Sequence, residues 1–338
     1  MPALARVPAL AVLLAATAAA SDRKPVRLAT LAPSGSSTHQ LLQEMGEAWR
    51  SGPEGGVRLI VNAGGLMGGE ADVVRKMRAG QIHAALLTVV GIGQIEESVN
   101  ALQNLPLAFR SLDEVTLVRE RLAPKLESRL DEKGFVVLGW VDAGWVRFFS
   151  RQPIVRPADL REMRIFTWSG SVEQVDLMKS LRLKPVPLEP SDILTSLQTG
   201  LIDCVPAVPY YAQVLQYYEP APHMLDIEWA PLVGGLLVSK RTWEGLPEAL
   251  RASMRSSAVR TCAGITTRNR RESEESIAAM RKRGLTVHAL TPEIGAEWRS
   301  FVEPLYPRLR GLEVPADLFD EVFAVLAEHR KGGGQPPR

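Results

Sequence analysis

The sequence predicts an α/β protein made of two α/β units joined by one long helix. Three observations carry that expectation. Short apolar runs alternate with amphipathic helical stretches between residues 26 and 90. The alternation returns between 135 and 239, with no sequence repeat relating the two stretches. Residues 247–283 then read as a single uninterrupted helix. A length of 338 residues suits two domains at roughly 100–200 residues each. Hydrophobic residues are 46% of the chain and charged residues 23%, which excludes a disordered polymer. Lys plus Arg total 40 against 38 Asp plus Glu, so the formal charge of +2 carries no footprint of a nucleic-acid partner.

At the N-terminus, Arg6 precedes an apolar run over 7–19 that ends in Ala18-Ala19-Ala20 before Ser21. A basic start, an apolar stretch of about 7–15 residues and an A-x-A site describe a cleaved secretory signal peptide. A bilayer span needs about 20 apolar residues, so the run is too short for an anchor. The expectation is a signal peptide over 1–20 and an exported, soluble mature chain.

Residues 26–31 then read as a strand. Ser37 with Gln40 forms a capping box, and Leu41, Leu42, Met45, Ala48 and Trp49 mark one helical face. Residues 57–61 are a second strand. The glycines of 64–69 turn the chain into a helix carrying Val73, Val74 and Met77, stopped at Gly80. The near-continuous apolar run over 82–90 suits a parallel strand covered on both faces. In the second unit, strands are expected at 135–140, 145–150, 163–168, 184–188, 201–205 and 233–239. Helices are expected over 171–181 and from Ser191 to Gly200.

Pro247 suits a first helical position and Gly284 the residue just past a helix end. Leu250, Met254, Ala258, Cys262 and Ile265 share a stripe that Ile277 and Met280 resume. Between them, 266–276 is polar all round, which suits a helix bridging two domains through solvent. The competing arrangement is two helices with a break near Asn269.

The usual catalytic signatures are missing. There is no G-x-S-x-G elbow and no G-K-[ST] loop, and Gly91-Ile-Gly93 has Glu96 where a dinucleotide loop needs glycine. The five histidines never fall at H-x-x-x-H spacing. The two cysteines, Cys204 and Cys262, sit in apolar patterns that suit core thiols; a disulfide between them would need Cα atoms within about 7 Å. No metal, cofactor or catalytic constellation is expected, and a binding protein is favoured over an enzyme.

Several segments together carry a resemblance. They are Asn62-Ala-Gly-Gly-Leu-Met-Gly-Gly-Glu70, Met77-Arg-Ala-Gly-Gln-Ile-His83, Asn104-Leu-Pro-Leu-Ala-Phe109, Arg156-Pro-Ala-Asp-Leu-Arg-Glu-Met-Arg-Ile165, Lys184-Pro-Val-Pro-Leu188 and Leu197-Gln-Thr-Gly-Leu-Ile-Asp203, ending at Val238-Ser-Lys. In order and spacing they resemble the DctP-type solute receptors of tripartite ATP-independent periplasmic (TRAP) transporters. The resemblance implies a two-lobed periplasmic solute-binding fold hinged around a cleft and spanned by a long helix. It places lobe I over 23–146 plus 233–275, lobe II over 147–232 plus 276–330, and a flexible tail over 331–338. It also implies a periplasmic location, a small organic ligand and a permease of small and large membrane subunits. A periplasmic helical-repeat scaffold protein is a further partner it allows.

In such receptors an Arg after the D-L-x-x-x-x-I pattern clamps a ligand carboxylate; here that position is Phe166, and Arg164 lies two residues early. A family Asn downstream is Ala207 here, and the loop Thr88-Val-Val-Gly-Ile92 is mostly apolar. The expected ligand-contacting set is Arg147, Phe166, Trp168, Ala207, Tyr210, Trp145, Val89, Thr88 and Cys204, with Tyr211 as an additional aromatic. Arg147 either pairs an anionic head group or braces the hinge. The expected ligand is an apolar or amphipathic organic molecule, with or without one carboxylate. The alternatives are a C4-dicarboxylate or sugar acid held by Arg147, or a ligand sensor feeding a signalling or scaffold partner.

Overall fold

The structure, a computed structural model, describes residues 25–169 and 172–332. The expected signal peptide, the start of the helix at Ser171 and tail residues 333–338 lie outside the described residues.

The chain opens with β1 (Val26–Thr30), α1 (Ser37–Arg50), β2 (Leu59–Asn62), α2 (Glu70–Arg78) and β3 (Ala84–Thr88). A short α3 (Val89–Gly93) and the long α4 (Leu112–Glu132) follow. Next come β4 (Phe135–Ser150), β5 (Arg164–Trp168), α5 (Val172–Ser180), β6 (Lys184–Leu188), α6 (Ile193–Thr199), β7 (Cys204–Ala207) and α7 (Pro209–Val214). The remainder is β8 (His223–Ser239), α8 (Lys240–Glu244), α9 (Glu248–Arg281), β9 (Thr286–His288), α10 (Pro292–Val302), α11 (Tyr306–Leu312) and α12 (Ala316–Lys331).

One sheet runs through the molecule in the order β2-β1-β3-β8-β4-β7-β5-β6, with β9 added to β8. β2, β1 and β3 pair in parallel, as do β7, β5 and β6. These two parallel units fall within the two α/β stretches read from the sequence. They are joined by the antiparallel pair β4 and β8, whose 16 and 17 residues run across both halves. The separate strands expected at 135–140 and 145–150 are therefore one strand. The chain does not turn between them because bulges between Asp142 and Trp145 and between Val146 and Phe148 absorb the irregularity. Gly144, at φ +86°, takes a backbone angle that a side chain would strain. Likewise β8 begins at His223, ten residues before the expected 233, because its exposed Asp226 and Glu228 alternate with buried apolar neighbours. Where β8 meets β3, Gly234 lies so near the Leu87 carbonyl that a Cβ would sit 2.4 Å from its oxygen.

α9 is a single helix of 34 residues, about 51 Å long, without a break at Asn269. Its polar middle is only partly in solvent, contrary to the expectation of a polar bridge exposed all round: Thr267, Arg271, Glu274 and Glu275 are exposed, but one face is covered. Asn269, Ser273 and Ser276 are buried, because each finds a partner on a different element. The Thr38 hydroxyl donates to Asn269 Oδ1 (3.2 Å), Ser273 Oγ to the Ala143 carbonyl (3.2 Å), and Ser276 Oγ to Gln213 Oε1 (2.7 Å). Satisfied polar groups of this kind fix one packing arrangement where an apolar stripe would tolerate several. The helix thus lies against α1, β4 and α7 rather than spanning a gap. Both cysteines are free and buried in different apolar clusters, so no disulfide joins them. α12 extends through Lys331, one residue into the expected tail.

Candidate ligand-binding cavity

A cavity of about 330 Å³ lies between the two halves of the sheet. One wall comes from β1, α1, α2 and β3; the other comes from β5, α5, β7 and α7, with Phe301, Leu305 and Leu309 closing the far end. Val146, Phe148, Ile165 and Phe166 form its middle. Phe166 meets Trp168 edge-on with ring centroids 5.8 Å apart. Among the described residues, no Lys, Arg or His lines this cavity; its charged lining residues are Glu70, Asp142 and Glu313.

Of the residues expected from the sequence, Thr88, Phe166, Trp168 and Ala207 line the cavity. Arg147, Trp145, Val89, Tyr210 and Cys204 do not. Val146 and Phe148 line the cavity, as does Ala207 across from Arg147; Arg147 itself does not, and is buried beside β8 and α9. There Arg147 Nε donates to Asp226 Oδ1 (2.9 Å) and Nη2 to Glu274 Oε1 (3.5 Å), tying β4 to β8 and α9. Two of its nitrogens thus hold β4 to its neighbours, and its buried Nη1 has no partner. Trp145 and Val89 are buried in the apolar cluster around α4 and α12. Tyr210 Oη accepts from the Ser37 backbone N–H (3.2 Å) at the start of α1, and its neighbour Tyr211 faces the cavity instead. Cys204 is buried with Ile154 and Trp298 behind the cavity-lining Phe148, Leu160 and Ile165. Arg164 is exposed and held by Asp203 through two hydrogen bonds, Nε to Oδ2 (2.7 Å) and Nη2 to Oδ1 (2.8 Å). It cannot stand in for the arginine missing at Phe166.

Sequence reasoning missed the polar end of the cavity. Glu70 opens α2, where a helix N-terminus favours a carboxylate. Its Oε1 accepts from the Thr88 N–H (2.7 Å), and its Oε2 from the Thr88 hydroxyl (2.6 Å) and the Gly91 N–H (2.8 Å). Burial pushes its pKa up to about 7 from 4.5; these hydrogen bonds pull it down, and the charge of Glu189 adds to the rise. The Tyr211 phenol is pushed to about 12, chiefly by burial, against a hydrogen bond with Thr38 and with added push from Tyr210, Glu70 and Glu272. The signal available in the sequence was an acid placed just after a glycine turn at a helix start. Asp142, also on the wall, is neutralised from behind by Arg270 (2.7 and 2.6 Å) and Arg119 (3.0 Å), neither of which lines the cavity. Among the described residues, no group of three or more His, Cys, Asp and Glu is placed to hold a metal.

Two parallel units crossed by a long strand pair, with a cavity between them, narrow the comparison to hinged solute receptors. The profile of the DctP family, bacterial extracellular solute-binding protein family 7, matches residues 28–311. The chain belongs to the DctP family. Among its DctP relatives, the C4-dicarboxylate-binding periplasmic protein DctP of Rhodobacter capsulatus is 25% identical over 227 residues, covering 67% of this chain and 68% of that one. The sugar acid binding protein DctPAm of Advenella mimigardefordensis, solved with galactonate, superposes with a TM-score of 0.84 at 17% identity, covering 91% of this chain and 99% of that one. A TRAP periplasmic solute-binding protein of Chromohalobacter salexigens, solved with D-glucuronate, gives 0.80 at 20% identity, over 89% and 99% of the two chains. At such identities the structural likeness establishes the two-lobed fold alone. Family membership makes this DctP protein a solute-binding receptor, and DctP receptors are not enzymes.

Proposed function

We propose that the protein is the exported receptor of a TRAP transporter and closes on an apolar or amphipathic organic molecule, which it passes to the small and large membrane subunits of a permease. The observation that carries this reading is the cavity wall: aromatic and aliphatic side chains dominate it, and no cationic side chain among the described residues reaches it. An ionised carboxylate buried without a partner costs several kcal/mol, whereas apolar surface gains about 25 cal/mol per Å² buried. Phe166 and Val146 on the wall favour the second term.

Lobe I over 23–146 plus 233–275 and lobe II over 147–232 plus 276–330 are proposed as the moving bodies. The bulge in β4 between Asp142 and Trp145 and the extra residues of β8 opposite Val146–Phe148 support a bend there. Closure would be driven by contacts that the ligand makes only in the closed state. A second reading, a sugar acid, is favoured by the galactonate and D-glucuronate in the solved relatives.

The two are separated by mass spectrometry of an organic extract of the purified protein and by a thermal-shift panel. An apolar co-purifying molecule, with no stabilisation by D-glucuronate, galactonate or a C4-dicarboxylate, supports the proposal. Strong stabilisation by any of these acids refutes it. If that stabilisation is lost in Arg147→Ala, the arginine contacts the ligand after all.

A further inference from the structure

Resting on the reading of an apolar cavity, we infer that the ligand presents a hydrogen-bond-donating head without negative charge, such as an amine, amide or alcohol, to the end of the cavity formed by Glu70, Thr38, Tyr211 and Asn269. Its apolar body points toward Met178, Leu181, Phe301 and Leu305. These four polar residues come from α2, α1, α7 and α9, and the four apolar ones from α5 and its end, α10 and the turn before α11. Gln103, Asn104, Thr167, Gln174 and Glu313 are the other amide, hydroxyl or charged side chains on the wall, apart from Thr30, Thr88, Asp142 and Tyr217.

Charge decides the head group. Asp142 has its charge cancelled by Arg270 and Arg119, and Glu313, at the far end, takes the Asn104 amide (3.4 Å). Glu70 remains. It accepts three hydrogen bonds, all from Thr88 and Gly91, and an ionised carboxylate offers about four acceptor sites. One site on Oε1 is left for a donor. The carboxylates of Glu189 and Glu272 add their fields at this end, pressing on Glu70 and on Tyr211 respectively. No lysine, arginine or histidine among the described residues answers them from the cavity wall. A ligand carboxylate entering here would meet like charge in a site shielded from water. An ammonium or amide N–H instead completes the Glu70 acceptor set, with the gain of a charge-assisted hydrogen bond. Glu70 is therefore the specificity-determining residue, and Tyr211, tied to Thr38, supplies the second polar contact.

The test uses four probes on one scaffold: 2-phenylethylamine, 3-phenylpropanamide, 2-phenylethanol and 3-phenylpropanoate, measured by calorimetric titration against the mature protein. The three donors are expected to bind at least about tenfold more tightly than 3-phenylpropanoate, a difference of about 1.4 kcal/mol. Glu70→Gln should shrink that ratio below about threefold by weakening the donors and admitting the acid. If Glu70→Gln does not fold, Tyr211→Phe serves instead, with an expected loss of donor affinity and no gain for the acid. Equal or tighter binding of 3-phenylpropanoate overturns the head-group inference and leaves the apolar cavity standing. An unchanged ratio in the variant that folds does the same. No binding by any of the four overturns both.

Discussion

Asp142→Asn removes a carboxylate shared by two guanidinium groups at the cavity wall. The Asp142 side chain is 0% exposed in β4, and those of Arg119 and Arg270 are 14% and 23% exposed. Arg270 reaches it from α9 and Arg119 from α4, so this one residue fastens both helices to the sheet. Breaking a buried pair by deleting one partner costs about 3–5 kcal/mol, because the surviving charge is left uncompensated. Here the two arginines keep some access to water. Arg270 also retains the Leu112 carbonyl (3.3 Å) and the Thr116 hydroxyl (2.9 Å). The lower end, about 3 kcal/mol, is therefore expected. Unfolding entropy near 2.1 cal/mol/K per residue over roughly 300 residues makes each kcal/mol worth about 1.6 °C, so the melting temperature should fall by about 5 °C. Differential scanning calorimetry of Asp142→Asn, Arg270→Gln and the double variant measures it. The double variant should lose clearly less than the sum of the singles, since the two residues share one interaction. A fall under about 1 °C, or strict additivity, would refute the reasoning that the pair is buried and coupled.

Two further outcomes follow from buried titratable groups. Glu70 has a folded pKa of about 7 against an ordinary 4.5, so between these values the folded protein holds a proton that the unfolded chain releases. Its contribution is complete below pH 4.5 and is lost as pH rises toward 7, with a slope of at most about 1.4 kcal/mol per pH unit. Melting temperatures at pH 5 and 7 should therefore differ less in Glu70→Gln than in the wild type; an identical difference contradicts the assignment. Burial pushes the Cys204 thiol up strongly and that of Cys262 to about 12, so neither is a thiolate at neutral pH. A maleimide should label neither cysteine in the native protein and both after denaturation, with the same gel mobility with and without reductant. Rapid native labelling, or a reductant-sensitive band, would contradict that.

The local periodicities that made the α/β units legible are strong in this chain. Leu42, Met45 and Trp49 face the core at helical spacing, and the apolar run over 82–90 contains the covered strand β3, which is parallel to β1 but antiparallel to β8 and passes into α3 at Val89. Only the long-range terms were hidden. Asn269, Ser273 and Ser276 look like a solvated helix face until α1, β4 and α7 present their partners, because a satisfied buried hydrogen bond has no local signature. The C-terminal helices that close the cavity left no comparable mark, since Phe301, Leu305 and Leu309 belong to three successive short elements rather than one long stripe.

The identity of the cavity wall depends on the same limit in a sharper form. A strand alternates its faces, so one inserted residue sends every later side chain to the other side. β4 carries an extra residue between Asp142 and Trp145, β8 carries the extra residues opposite Val146–Phe148, and the buried residues of β4 run on without a period of two. No count along the sequence can therefore say whether Val146 or Arg147 meets the ligand. Pairing puts Arg147 opposite Ala207 of β7, with its guanidinium bonded to Asp226 and Glu274 and its Nη1 left without a partner. With Phe166 on the wall, the charged side chains that line the cavity are carboxylates.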